Sequence, residues 1–499
     1  MELRPKTIYR NFNSNLIDKD LAINQLVSII ESSENISYRV ESLKHLVEIG
    51  IQNEEFYKLL ENLLVSDSSE KMRCLAAESL GHLFLNRSMS AMKFSFAHET
   101  SVNCLIIITQ TLGEINNRES RSLLENELKM IEFGQYKLHL EEFFSKEPIE
   151  ELEGRKLAKI LNNYNVIKYL ENKFERISYI LNDGVVIQLD LSNINSHVFE
   201  WNILSSLPDF ISNLIYLIKL DLKFNRLRNI PKSIQNLNRL KFLDLSYNKL
   251  KTLPNSIGKL SLLKTLKLKH NKIKFLPESL GELKNLEILD IRTNELSRLP
   301  DSVNNLTNLK HLILHGNRIT SIPNSLNCSR SLIYLDLGSN SLNEIPNCIK
   351  NLRLIKRLDL GGNKIVDIPN WINELNSLEV FNLSDNDISR LPDEIGRLKH
   401  LKELTLWNND LKELPRTLRF LQNLEKLNLS WNKIDSLPNW IGELKNLEIL
   451  TLWGNNIVDL PETIGFLNNL KILDLNFNNI EHLPKSLSNL QNKGLIIYK

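Results

Sequence analysis

The sequence is poor in the features that mark enzymes, secreted scaffolds and membrane proteins. Its 499 residues hold only four cysteines, Cys74, Cys104, Cys328 and Cys348, and their spacing matches neither a disulfide framework nor a zinc site. Reduced thiols in a cytoplasmic protein are therefore expected. No apolar run approaches the roughly 18 residues needed to cross a bilayer, so membrane insertion is not expected. The opening segment, MELRPKTIYRNFNSN, lacks the basic-then-apolar pattern of a secretory signal. No GxxxxGK[ST], HExxH, GxSxG or GxGxxG occurs, and Gly258-Lys259 lacks the upstream glycine of a phosphate loop. Cys74, His82, His98 and Cys104 lie too far apart in sequence for the usual zinc spacing. No catalytic residue, metal or cofactor is expected.

Charge of one sign is also missing: the net charge is +2. That total conceals an asymmetry. Residues 1–150 hold 16 Lys+Arg against 23 Asp+Glu, a balance of −7, and the rest, with 46 against 37, stands at +9. Such a spread is too dilute to argue for nucleic acid, but it biases which partners approach.

What the sequence does have is a period. Asparagines fall at 225, 248, 271, 294, 317, 340, 363, 386, 409, 432, 455 and 478, in steps of 23, and prolines keep the same step from Pro208 to Pro484. One unit reads LIKLDLKFNRLRNIPKSIQNLNR, from Leu217 to Arg239. Leu220 and Leu222 alternate, so they share the inward side of a short strand, with Lys219, Asp221 and Lys223 facing out. Asn225 carries both donors and an acceptor, so it can satisfy backbone groups that a turn leaves unpaired, and one such residue per unit builds a ladder. Leu227 and Ile230 return to the core. Pro231 cannot donate to a strand ladder and ends pairing. Ile234, Leu237 and Leu240 follow at steps of three, as one or two helical turns require. A single unit cannot bury these leucines, whereas stacked units share a core.

The unit LxxLxLxxNxLxxLPxxIxxLxx resembles the 23-residue leucine-rich repeat. Its LPxxIGxL phase (Leu253 to Leu260, Leu391 to Leu398, Leu437 to Leu444) is similar to the subgroup of Ras-pathway and scribble-type scaffolds. The resemblance covers residues 177–499 and implies an α/β leucine-rich-repeat solenoid, curved, with parallel strands on the concave face: a cap hairpin plus about 13 repeats. The hairpin is expected around Asn182-Asp183-Gly184. Leu189 to Pro208 is eight residues longer than its counterpart from Leu220 to Pro231. The insertion falls within 192–206 and carries Phe199 and Trp201, whose expected task is packing rather than a binding loop. The closing GLIIYK reads as a final strand.

In front, residues 1–135 carry helical periodicity. RVESLKHLVEIG, RCLAAESLGHLF and VNCLIIITQTLGEI resemble one another, with Leu46, Leu80 and Leu112 aligned and Ala76, Ala77 and Gly81 permitting close helix approach. EEFYKLLENLLV, between the first two, and SRSLLENELKMI, after the third, read as second helices. The pattern resembles HEAT-type repeats, an all-α stack of helix pairs. Residues 136–176 read as a helical linker broken at Asn162-Asn163.

The outward strand positions are not fixed by the core, so they carry the functional reading. They include Lys219, Lys223, Lys267, Lys269, His270, Arg292, His311, His315 and Arg357, together with Asp221, Asp244, Asp290, Asp336 and Asp359. Toward the C-terminus they include Trp407, Trp431 and Trp453, with Phe477 beyond. Exposed aromatics on adjacent units are what protein hot spots are made of. The expectation is a non-catalytic, monomeric scaffold that binds another protein on the concave face. Its named candidates are Trp407, Trp431, Trp453 and Phe477, with Lys219, Lys223, Lys267, Lys269, Arg292 and Arg357. The family resemblance implies a small Ras-like GTPase or its regulator as partner. The alternative is a regulatory subunit that recruits substrate to a phosphatase or a ubiquitin-type ligase.

Overall fold

The computed structural model describes residues 4–131, 134–174, 176–194, 204–328 and 330–499. Phe199, Trp201 and most of the 192–206 insertion lie outside them. The chain divides into two compact units, residues 1–188 with 208–216, and residues 189–207 with 217–499.

The first unit is helical: α1 Pro5–Asn13, α2 Lys19–Ser32, α3 Ile36–Ile49, α4 Glu54–Ser66, α5 Glu70–Leu83, α6 Met89–His98, α7 Val102–Ile115, α8 Arg118–Lys129, α9 Gln135–Lys146 and α10 Gly154–Lys173. Local chemistry sets the ends. The side chains of Asp18, Asn35, Asn53 and Asn117 accept backbone N–H groups in the first turns of α2, α3, α4 and α8, which supplies donors that a helix start leaves orphaned. Gly50, with φ +73°, closes α3. The three similar segments are α3, α5 and α7, which pack side by side, and α10 extends that layer. Leu46, Leu80 and Leu112 are fully buried. Gly81 permits the approach of α5 to α7: a Cβ there would come within 2.8 Å of Thr111 Oγ1. The sequence pattern passed over α6, which stands between α5 and α7 as α4 stands between α3 and α5.

Asn162 and Asn163 do not break a helix. They sit inside the continuous α10, both buried. Asn162 Nδ2 donates to Ile106 O at 3.2 Å on α7, and Asn163 Oδ1 accepts Val186 N at 3.0 Å. Partners on neighbouring elements override the weak helix preference of asparagine. Val186 belongs to β2 Val185–Asp190, which follows β1 Ser178–Asn182 across Asp183 and Gly184. Their φ values of +50° and +72° are those a tight hairpin turn demands.

In the second unit each repeat contributes three strand residues. They are β3 Lys219–Asp221, β4 Phe242–Asp244, β5 Thr265–Lys267, β6 Ile288–Asp290, β7 His311–Ile313, β8 Tyr334–Asp336, β9 Arg357–Asp359, β10 Val380–Asn382, β11 Glu403–Thr405, β12 Lys426–Asn428, β13 Ile449–Thr451, β14 Ile472–Asp474 and β15 Ile496–Tyr498. Neighbours pair in parallel, in register from repeat to repeat: Leu220 opposes Leu243, and Leu450 opposes Leu473. Both inward apolar residues of each repeat from β3 to β14 are buried, as are Leu227 and Ile230 in the turn behind the first pair.

The asparagines form the expected ladder. Asn248 Nδ2 donates to Leu222 O at 2.9 Å in the preceding repeat and to Leu245 O at 3.0 Å in its own, while its Oδ1 accepts Leu227 N at 2.9 Å. One side chain thus satisfies three backbone groups across two repeats. The pattern persists to Asn478. Each ladder proline from Pro208 to Pro461 opens a 3-10 turn, as Pro231 does before Lys232–Asn236, its fixed φ suiting that entry; Pro484 instead precedes a short α-helix, Leu487–Gln491. The glycine of the LPxxIGxL phase has a steric reason. A Cβ on Gly258, Gly396 or Gly442 would lie 2.2 Å from the carbonyl oxygen of Ser279, Thr417 or Thr463 in the next turn.

Candidate protein-binding face

The strand side of the second unit presents four columns of variable residues. In β3 and its continuation they are Lys219, Asp221, Lys223 and Phe224. Neighbouring repeats stack at about 4.8 Å, so each column is a row of side chains in lateral reach of one another.

The second column departs from the sequence reading. Asp221, Asp244, Asp290 and Asp336 are buried, Asp290 to 4% exposure, rather than facing water. Each turns back to accept the backbone N–H two residues on: Asp244 Oδ1 from Ser246 N at 2.9 Å, Asp336 Oδ1 from Gly338 N at 3.0 Å. Asp359, half-buried, does the same with Gly361 N, and Asn382 and Asn428 serve later repeats alike. A short acceptor here closes the strand end. Burial, with the nearby Asp359 charge adding to it, pushes the Asp336 carboxyl above its ordinary range, although the Gly338 N–H opposes the shift. Burial and then Asp336 push the Tyr334 hydroxyl up to about 12.

Five of the six cationic candidates divide into two groups. Arg292 is clamped on Asp290, Nε to Oδ1 at 3.0 Å and Nη2 to Oδ2 at 2.7 Å, and Lys223 lies 3.4 Å from Asp221. Lys219, Lys267 and Lys269 stand over aromatic rings instead. Arg357 is exposed. His315 Nδ1 is 3.6 Å from Asp336 Oδ1.

The fourth column, one residue before each ladder asparagine, is left-handed throughout. Phe224, Tyr247, His270, Thr293, Gly316, Ser339, Gly362, Asp385, Asn408, Trp431, Gly454 and Phe477 all have φ between +51° and +70°. From Gly316 to Asn408 the residues are small, and glycine, aspartate and asparagine among them tolerate this conformation. Toward the ends Phe224, Tyr247, Trp431 and Phe477 are bulky aromatics, for which φ above zero is an outlier.

Three of the four predicted aromatics come together. The rings of Trp431 and Trp453 meet edge to face with centroids 5.5 Å apart, and Phe477 follows at 6.0 Å from Trp453. Trp431 is 46% exposed and Phe477 77%. Trp453 is half-buried, and its Nε1–H has no acceptor among the described residues. Trp407, 37% exposed, has no aromatic partner among the described residues. The sequence reading missed a second stack: Phe224 lies on Tyr247 at 4.4 Å, nearly parallel, and Tyr247 meets His270 at 5.0 Å. The available signal was position, since Phe224 and Tyr247 occupy the column of Trp431 and Phe477. Among the described residues no helix is long and apolar enough to cross a membrane.

Comparison with known proteins agrees with this geometry. The Leucine-rich repeat region family matches residues 228–321 and 372–456, and two Leucine rich repeat families match 307–365 and 469–490. A leucine-rich repeat protein of Leptospira interrogans, solved as a structure, is 32% identical with a TM-score of 0.58, over 67% of this chain and 98% of that one. An internalin from Listeria monocytogenes shares the fold at 21% identity and TM-score 0.53, over 64% of this chain and 90% of its own. A TDR receptor aligns at 27% identity and TM-score 0.51, over 66% of this chain and 60% of that one. No curated protein matches the chain.

Proposed function

We propose, from the premise that this chain belongs to the leucine-rich repeat family, that it is a non-catalytic scaffold whose strand face holds a partner protein. The fold is one typical of protein–protein interaction domains. The carrying observation is the placement of Trp431 and Phe477. Both hold bulky rings in the left-handed region, largely exposed, at a position where other repeats use glycine, serine or asparagine. Each such residue costs on the order of 1–3 kcal/mol, and strain of this kind concentrates at functional sites. Stability alone would replace them. With Trp453 between them they make a continuous aromatic patch, the composition of an interface anchor. Trp407, Arg357 and the lysines Lys219, Lys223, Lys267 and Lys269 extend the proposed face; Arg292 contributes less, because Asp290 occupies its guanidinium.

The finer reading follows the repeat type. The 23-residue LPxxIxxL phase supports the scribble-like subgroup, with a small Ras-like GTPase or its regulator on the strand face, and the chain is read as cytoplasmic, monomeric and cofactor-free. The helical unit, read as HEAT-like repeats, would hold a second protein. Affinity capture with the intact chain, beside a Trp431→Ala/Trp453→Ala variant that melts normally, tests this. Recovery of a GTPase that the variant loses supports the reading. A co-purifying phosphatase or ligase replaces it with the regulatory-subunit alternative, and equal capture by both proteins removes the tryptophans from the interface.

A further inference from the structure

Several lysines of the second unit pair with a carboxylate of a neighbouring repeat. Lys264 and Lys310 flank Glu287, one repeat to either side, at 2.9 and 2.8 Å, and Lys356 and Lys402 flank Glu379 in the same way. Lys426 and Lys471 reach Glu403 and Glu448. Three face lysines are held by rings instead. Among the described residues Lys219, Lys267 and Lys269 form no ion pair. The Phe242 ring has the ammonium of Lys219 at 5.4 Å and that of Lys267 at 5.3 Å, and Lys269 stands 5.3 Å from the Tyr247 ring.

Carboxylates lie close in register, but they are engaged. Lys267 is paired in the sheet with Asp244 on one side and Asp290 on the other. Asp244 is buried and turned to Ser246 N; Asp290 is buried and held by Arg292. Asp221 is buried, accepts Lys223 N and lies beside Lys223 Nζ. The carboxylates thus form a lower layer committed to backbone and neighbours, and the ammonium groups an upper layer that repels itself. An aromatic face lowers the energy of a cation but leaves its charge available. Beside this layer runs the stack of Phe224, Tyr247 and His270, three adjacent rings at left-handed positions.

We infer that this end of the strand face is a second recognition site, for an acidic protein segment that alternates carboxylates with aromatic or apolar residues. Its carboxylates would bridge Lys219, Lys267 and Lys269 with charge-assisted hydrogen bonds, and its rings would lie on Phe224, Tyr247 and His270. The inference goes beyond the tryptophan anchor and does not depend on it. Acidic residues spaced along a peptide suit three separate ammonium groups, whereas the aspartates beneath them repel a continuous row of phosphates.

The test uses the intact chain and fluorescence anisotropy. The probe is a short fluorescein-labelled peptide of alternating glutamate and phenylalanine, compared with the same peptide carrying glutamine and with labelled oligo(dT). The glutamate peptide should bind at least about tenfold more tightly than the glutamine peptide, with the difference shrinking in high salt. Lys267→Gln with Lys269→Gln should remove that preference. Phe242→Leu, which keeps every charge, should weaken binding less. Trp431→Ala should leave binding within about twofold, which separates this site from the anchor. Circular dichroism and melting establish that each variant is folded. The inference is overturned if the glutamate peptide does not bind or binds no better than its glutamine counterpart. It is equally overturned if oligo(dT) binds more tightly, if the lysine pair has no effect, or if Trp431→Ala abolishes binding.

Discussion

The indole of Trp431 rests on Gly454, one repeat further along: a Cβ at Gly454 would come within 3.0 Å of the ring. Gly454 itself is left-handed, at φ +70°, so an added side chain meets both strain and a ring. Gly454→Ala should cost about 1–2 kcal/mol of stability and tilt the Trp431 indole away from Trp453. Tryptophan emission should shift and a partner should dissociate faster. Wild-type emission together with wild-type binding would show that the ring does not need this seat.

The anchor itself gives a direct test. Trp431→Ala and Trp453→Ala should each weaken partner binding by about 2 kcal/mol or more, mainly through faster dissociation. Lys267→Glu with Lys269→Glu should instead slow association, an effect that fades as salt screens the charges. Surface-plasmon kinetics on variants with normal circular dichroism separate the two. Unchanged dissociation in both tryptophan variants would make the cluster mere packing.

The asparagine ladder should act on stability alone. Asn363 Nδ2 donates to Leu337 O and Leu360 O at 3.0 and 2.9 Å, and its Oδ1 accepts Leu342 N at 3.0 Å. Asn340 is bonded alike. Alanine at either position leaves backbone groups unpaired and should cost about 1–3 kcal/mol. Denaturant titration measures this. A variant that kept full stability yet lost a partner would move the ladder from the core to the interface.

Much of this was legible because repetition amplifies weak signals. Twelve asparagines in phase identify a turn that one asparagine does not, and the inward leucines follow from strand alternation. What stayed hidden depended on where short side chains turn. Alternation placed Asp221 and Asp290 outward, yet a carboxylate on a single methylene reaches the N–H two residues on and is buried by it. The left-handed column has no residue signature, since it holds phenylalanine and tryptophan as well as glycine. Only its fixed place before the asparagine betrays it, and this is why Phe224 and Tyr247 went unnoticed. Asn162 and Asn163 looked like a break because their partners, Ile106 and Val186, are distant in sequence.

The same column predicts a stabilising change. Thr293 is β-branched and left-handed, at φ +55°, a combination its side chain disfavours. Its backbone N–H bonds to His315 O at 2.8 Å, which any residue preserves. Thr293→Asn should therefore stabilise the second unit by up to about 1 kcal/mol, since asparagine tolerates this region. A rise in melting temperature with unaltered binding is the expected outcome. A fall would mean that the threonine side chain makes packing worth more than the strain.

Acid should unfold the first unit through Glu99. Its carboxylate takes Arg73 Nε and Nη2 at 2.9 and 3.0 Å and the N–H groups of Thr100 and Ser101 at 2.9 and 2.8 Å, with the side chain only 4% exposed. Burial alone would raise its pKa. The Arg73 bonds, then the Ser101 N–H and Cys104, outweigh burial and bring the group from 4.5 down to about 2. Because the folded value lies below the unfolded one, the stabilisation is present above pH 4.5 and is lost as pH falls from there toward about 2. A shift of this size corresponds to at most about 3 kcal/mol. Far-UV circular dichroism follows the helices, whereas all six tryptophans lie at position 201 or beyond, so their emission follows the other unit. In the second unit Glu287 and Glu379 are also held at about 2, by lysines on exposed ground, and salt should weaken that hold. Helical signal should therefore be lost across this window nearly independently of salt, while tryptophan emission responds to salt. Glu99→Gln should lower stability at neutral pH, since it leaves Arg73 without its anion, and should flatten the acid limb of the dichroism curve. An acid limb as steep as wild type in that variant would place the acid sensitivity of the helical unit elsewhere.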